Sequence, residues 1–261
     1  MIRWLASLPA YALFPLTAAL GIALTILIDV ARRRVVAPET RERASATASV
    51  TLQVTATIYA ILIAFVIVDA YTQLRDTQAQ ISTKASALST LYENSRALPE
   101  SEAATVRKAT VDYARSVVDR GLPRLEDAAE PELRTTRALG RLFARVQAIE
   151  PTTPSETAAY EAIVAGLNQI ESTREQLINS ARATIPPALF WLLVVIGLIV
   201  MCIASMLDTR HRRSHLFILS GLALVIWLTI ALVLSMDYPF SGVIQVTDQP
   251  IQEFLDVPIA R

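Results

Sequence analysis

The sequence predicts an all-α protein with four transmembrane helices and a long extramembrane antiparallel helical bundle inserted between the second and third spans. Three observations predict it. Four apolar runs, roughly Tyr11–Asp29, Thr51–Tyr71, Pro187–Leu207 and Leu216–Met236, each reach the ~20 residues that a helix needs to cross a hydrocarbon layer of ~30 Å. The middle segment, Thr72–Ile185, carries most of the charge, with both signs mixed as on a solvated helical surface. Proline and glycine are absent between Pro38 and Pro99, so nothing interrupts a helix there. The expected organisation is 1–71 for the first two spans, 72–185 for the bundle, 186–236 for the last two spans and 237–261 for a C-terminal turn and short amphipathic tail.

Composition narrows the function. The chain has 261 residues, 53% of them hydrophobic, and a mean hydropathy of +0.42. A net charge of zero gives no electrostatic reason to expect nucleic acid. The lipid bilayer is the expected partner. Cys202 is the single cysteine, which rules out an intrachain disulfide, and it reads as a small packing residue. The first run is too long for a signal-peptide core, and Arg32, Arg33 and Arg34 follow it directly. It therefore reads as an uncleaved span with its far end in the cytoplasm.

Orientation follows from the short loops. The loop 30–50 holds Arg32, Arg33, Arg34, Arg41 and Arg43, and the loop 208–215 holds Arg210, Arg212 and Arg213. Both are expected on the cytoplasmic side, with the termini and the middle segment outside. Arg75, Lys84, Arg174 and Arg182 flank spans two and three on the opposite side.

Span two is expected to run on as one helix from about Ala46 to Ala97, on the order of 75 Å at 1.5 Å per residue. Its projecting part keeps Ile81, Ala85, Leu88 and Tyr92 at helical spacing. Pro99 opens Glu100–Arg120, with Val106, Tyr113 and Val117 on one face, and Gly121 and Pro123 are expected to end it. Pro131 opens Glu132–Ile149, with Leu139, Leu142, Phe143, Val146 and Ile149 inward. Thr153-Pro-Ser-Glu156 has capping-box spacing, and the helix after it carries Ile163, Leu167, Ile170, Leu177 and Ala181. These stripes bury either against one another in an antiparallel bundle or between subunits. Ile185-Pro186-Pro187 marks a kink or break before span three. After span four, Val243–Val246 reads as a short extended piece. Gln249–Leu255 reads as a helix with Ile251, Phe254 and Leu255 inward, lying on the bundle or at the membrane interface.

Enzyme motifs are missing: there is no nucleotide-binding glycine loop, no zinc-protease helix motif and no nucleophile elbow. No catalytic residue, cofactor or metal is expected. His211 and His215 share a helix face, but a metal would need Asp208 as well, so the segment reads better as a basic loop on anionic head groups. Asp29 and Asp237 read as interfacial acids at span ends, and Asp69 as an intramembrane acid with a role. Gly21, Gly197 and Gly221 are expected to permit close helix approach.

Span two carries the most informative face. Thr51, Thr55, Ile58, Leu62, Phe65 and Asp69 recur at alternating steps of three and four. Hydroxyls lie at one end, an apolar stretch in the middle and an acid at the other end. In a ring of such helices this stripe makes a pore with a hydrophobic constriction and a charged mouth. The competing reading is ordinary helix–helix packing.

Tyr59-Ala-Ile-Leu-Ile-Ala-Phe-Val66 leads into a polar helix, then Leu91-Tyr92, Leu98-Pro99 and Tyr113, with Ile185-Pro-Pro187 and Asp237-Tyr-Pro-Phe-Ser-Gly242 much later. This order resembles the bestrophin-like family of bacterial membrane proteins, from about residue 50 to 255. Its most specific piece is the turn of Asp237, Pro239, Phe240, Ser241 and Gly242. The resemblance implies a homo-oligomeric channel in a bacterial inner membrane, conducting inorganic ions through a pore lined by the second span. Ile58, Leu62 and Phe65 would then form its neck. It also implies cytoplasmic termini, opposite to the arginine loops. Asp248, Glu253 and Asp256 are too scattered to form the acidic clasp that binds calcium in animal bestrophins. A second functional reading is a membrane sensor that uses the helical bundle to bind a ligand or partner.

Overall fold

A computed structural model describes residues 10–35, 38–128, 130–182, 185–207, 212–237, 240 and 244–259. It is all-α. Nine α-helices occur among these residues: α1 Ala10–Val35, α2 Pro38–Asn94, α3 Glu100–Ser116, α4 Leu122–Ala128, α5 Leu133–Gln147, α6 Pro154–Arg182, α7 Pro187–Ser205, α8 Arg212–Met236 and α9 Gln249–Ile259. No strand occurs among the described residues, so the extended piece expected near Val246 is irregular chain. Four helices are long and apolar enough to cross a membrane, within Tyr11–Arg32, Ser45–Ala97, Pro154–Ser205 and Arg213–Met236.

The chain divides into two compact units. The first comprises 1–72, 184–238 and 242–244; the second comprises 73–183, 239–241 and 245–261. Helix α2 contributes to both and is 57 residues long.

In the first unit, Tyr59, Ile63, Val66 and Ala70 form the buried face of α2. They share a core with Leu193, Val200 and Met201 of α7 and Ala223, Ile226, Ile230 and Val233 of α8. Small residues set the spacing. A Cβ on Gly197 would lie 3.1 Å from Ile226 Cγ2, and one on Gly21 would run into the Trp227 ring. Gly221 faces open space, so it plays no such part. Cys202 is exposed rather than packed. Its helix is apolar all round, so the sequence carries no periodicity from which to tell its faces apart.

In the second unit, Ile81, Leu88 and Leu91 of α2 meet Val106 and Tyr113 of α3, Leu139, Leu142 and Val146 of α5, and Ile163, Ile170 and Leu177 of α6. Each fully buried leucine or isoleucine contributes about 1.5–3 kcal/mol. Ile251 and Phe254 of α9 enter the same core, with Phe254 edge-on to Tyr92 at 6.0 Å. The tail thus belongs to this unit.

Local signals explain the boundaries. Glu156 accepts from Thr152 N–H at 2.7 Å and Thr153 N–H at 3.3 Å, while Thr153 Oγ1 accepts from Glu156 N–H at 3.2 Å. This reciprocal box starts α6. Those donors hold the Glu156 carboxyl below the usual range. The Glu132 carboxylate likewise accepts from Thr135 N–H, at 2.6 Å, and starts α5. Gly121 and Pro123 do not end a helix, contrary to expectation. Val117–Gly121 widens into a π-helical turn and α4 follows directly. A π turn shifts the hydrogen-bond register, which leaves room for a proline that lacks an N–H.

Candidate functional site

The stripe on span two flanks the buried face of α2: Ile58, Leu62, Phe65 and Asp69 each precede a buried residue, Tyr59, Ile63, Val66 and Ala70. Thr51, Ile58, Phe65 and Asp69 are exposed, and Thr55 and Leu62 are half-buried. Ile58 is 57% and Phe65 71% exposed. Leu62 packs against the core of the first unit, whereas Ile58 and Phe65 are left uncovered within the chain. Thr51 and Thr55 donate their hydroxyls to the carbonyls of Thr47 and Thr51, at 3.0 and 2.8 Å. The exposed faces of α1 and α7 differ from this one: Leu16, Leu20, Ile26 and Leu27 on α1, and Trp191, Leu192, Val195 and Ile199 on α7, are apolar throughout. On α2, Thr51, Gln53, Thr57 and Asp69 share the exposed surface with Val54, Ile58 and Phe65.

Of the turn residues, Asp237 and Phe240 are described, and Pro239, Ser241 and Gly242 lie outside the described residues. Asp237 Oδ1 accepts from Ile185 N–H at 2.5 Å. Ile185 is the last residue with an N–H before Pro186 and Pro187, and a buried donor needs a partner. Two segments 52 positions apart are tied by this one carboxylate. Asp237 is therefore 9% exposed and engaged, rather than a plain interfacial acid. Phe240 is buried in the core of the second unit.

A charged cluster in the first unit escaped the sequence reading. Asp29, Arg32 and His215 are 1%, 7% and 4% exposed. Arg32 Nη2 donates to Asp29 Oδ1 at 2.9 Å, and His215 Nε2 lies 3.4 Å from the same oxygen. Arg32 Nε and Nη1 are buried without a hydrogen-bond partner. Asp29 is thus removed from water, and His215 faces an acid rather than head groups. His211, Asp208 and Arg210 lie outside the described residues. The available signal was the three-residue spacing of Asp29 and Arg32, which puts them on one helix face. Among the described residues, no three of histidine, cysteine, aspartate and glutamate gather as metal ligands.

Four candidate spans and a buried charge cluster beside them define a multi-pass helical membrane protein. The bestrophin-like domain matches residues 19–251, and the chain belongs to that family. No curated protein matches this chain. Among solved structures, a point variant of a bacterial bestrophin homolog from Klebsiella pneumoniae gives a TM-score of 0.71 at 13% identity, covering 95% of this chain and 99% of that one. Another structure of a K. pneumoniae bestrophin homolog gives 0.67 at 14% identity, covering 93% and 94%. A third, a point variant described as a membrane protein, gives 0.68 at 14%, covering 92% and 93%. At such identities the likeness is one of fold.

Proposed function

We propose that the protein is a subunit of a homo-oligomeric, bestrophin-like ion channel, with span two facing the central axis. Thr51, Thr55, Ile58, Leu62, Phe65 and Asp69 line the pore in this reading, and Ile58, Leu62 and Phe65 form its neck. The observation that carries it is the mixed polar and apolar face of α2 left exposed by the single chain. Lipid suits the apolar residues exposed on α1 and α7, such as Leu20, Leu27, Val195 and Ile199. A face with threonines at one end and an acid at the other suits a path that holds water and ions. The second unit, with its charged outer surface, lies outside the bilayer, and the arginine-rich loops 30–50 and 208–215 face the cytoplasm.

Flux into liposomes tests the pore. Leu62→Ala and Phe65→Ala widen an apolar neck and are expected to raise ion flux several-fold, with the oligomer intact by size-exclusion chromatography. Unchanged flux in both variants, with protein inserted and folded, refutes the neck. A monomer in mild detergent refutes the ring.

A further inference from the structure

The charges of the second unit are mixed along the sequence but sorted around its surface. Helix α5 carries no acid between Leu133 and Gln147. Its four arginines, Arg134, Arg137, Arg141 and Arg145, recur at steps of three, four and four, and all are exposed. They form one row beside the buried row of Thr135, Ala138, Leu139, Leu142 and Val146. The row is about 16 Å long at 1.5 Å per residue. Helix α3 packs against α5 and leaves two grooves along their seam, of about 370 and 340 Å³. The grooves share Asp112, Ala138 and Arg141 and so run together.

Across from the arginine row, Lys108, Arg115 and Arg120 line the same seam. Seven cations thus face two acids, Asp112 and Asp119, in a chain whose net charge is zero. Elsewhere in the unit Arg96, Arg107, Arg124 and Arg174 each have a carboxylate within 3.2 Å. None of the seven has such a pair among the described residues, and Arg120 acts on the Glu132 carboxyl only at longer range. A cleft lined by one sign of charge concentrates counter-ions. Among the described residues, no aromatic ring and no apolar side chain larger than alanine lines either groove. The seam therefore offers no stacking platform for a base and no apolar anchor for a protein partner. What it offers is charge arrayed along a line, and guanidinium groups meet phosphate oxygens through paired N–H donors.

We propose that the seam between α3 and α5 binds a linear polyphosphate anion, laid along the row from Arg134 to Arg145. Arg137 and Arg141 hold its middle from one side, and Arg115 and Lys108 from the other. A phosphate chain carries charge on every unit and brings no side groups, which suits a floor of small residues, Ala109, Ser116 and Ala138. An acidic peptide holds its charges on flexible side chains, whose ordering opposes binding. Asp112, at the junction of the two grooves, repels the anion, so a long chain that reaches cations on both sides gains more than a short one. The seam lies wholly within the second unit and is independent of the pore face.

Calorimetric titration of the full chain in detergent with inorganic polyphosphate, pyrophosphate, polyglutamate and single-stranded oligothymidine tests the proposal. Saturable polyphosphate binding is expected, weakening with added salt and at least tenfold tighter than pyrophosphate. Arg137→Gln combined with Arg141→Gln is expected to weaken it tenfold or more, and Asp112→Asn to strengthen it about threefold. The same change of two charges at Arg96 and Arg124, which line neither groove, is expected to leave it unchanged. All five positions are exposed, so the variants are expected to keep the fold, which circular dichroism checks. No saturable binding at low salt overturns the site. An equal loss in the two double variants, or no loss in either, overturns its placement on the seam. Polyglutamate or oligothymidine binding as tightly as polyphosphate overturns the phosphate assignment. Flux through the pore plays no part in the readout, so the two readings fail separately.

Discussion

Lys84 sets a pH signature of its own. Burial in the folded protein holds it at about 7, against 10.5 for a free lysine. Between these values the unfolded chain keeps a proton that the native lysine has released. Stability therefore rises with pH across that window, by up to a few kcal/mol. Lys84→Met is expected to be more stable than the wild type near pH 7 and to show a flatter profile. Chemical denaturation in detergent from pH 6.5 to 9.5, wild type against variant, checks this. An identical slope in both would place the lysine in water. In the sequence Lys84 looks like a flanking charge of span two, because a lone lysine in a polar helix is usually solvated. Only its register with Ile81 and Leu88 shows that it shares their face. Asp29 and Arg32 were legible as neighbours for the same reason. Their burial was not, since it depends on the start of α8 lying against them.

The elements were read from the sequence more completely than the residues. The long helix through span two follows from sixty positions, 39–98, without proline or glycine. Its two faces follow from steps of three and four, but steps alone do not say which face is covered from within the chain. Tyr59, Ile63, Val66 and Ala70 are covered, and Ile58 and Phe65 are not. The capping box before α6 was likewise visible as a four-residue signature. Thr153→Ala removes its acceptor for Glu156 N–H and is expected to cost about 1 kcal/mol of stability, read by denaturant midpoint. Thr153→Ser, which keeps the oxygen, should restore most of it. The π turn at Val117–Gly121 was not legible. Glycine followed by proline ordinarily stops a helix, and what carries the chain through is the packing of Val117, Leu122 and Leu125 into the core on both sides of the turn.

Across the whole molecule, the four spans and the family were legible, because bilayer thickness imposes length and the Asp237–Gly242 turn has a recognisable order. Orientation is the point on which the arginine loops and the family resemblance disagree. Ser101→Cys in a Cys202→Ala background decides it, with a thiol reagent that does not cross membranes. Labelling of intact spheroplasts is expected if the loops dominate; labelling only after permeabilisation overturns that orientation. The tail has a consequence in time rather than in space. Phe240, Ile251 and Phe254 complete a core whose other buried members lie between Ile81 and Leu177, and spans three and four are synthesised in between. A chain growing from its N-terminus therefore carries an unfinished apolar surface until its last helix emerges. The last apolar contacts of the bundle form only after spans three and four have been made. A protease or chaperone acting at that interval would read the order of synthesis directly from the state of one groove.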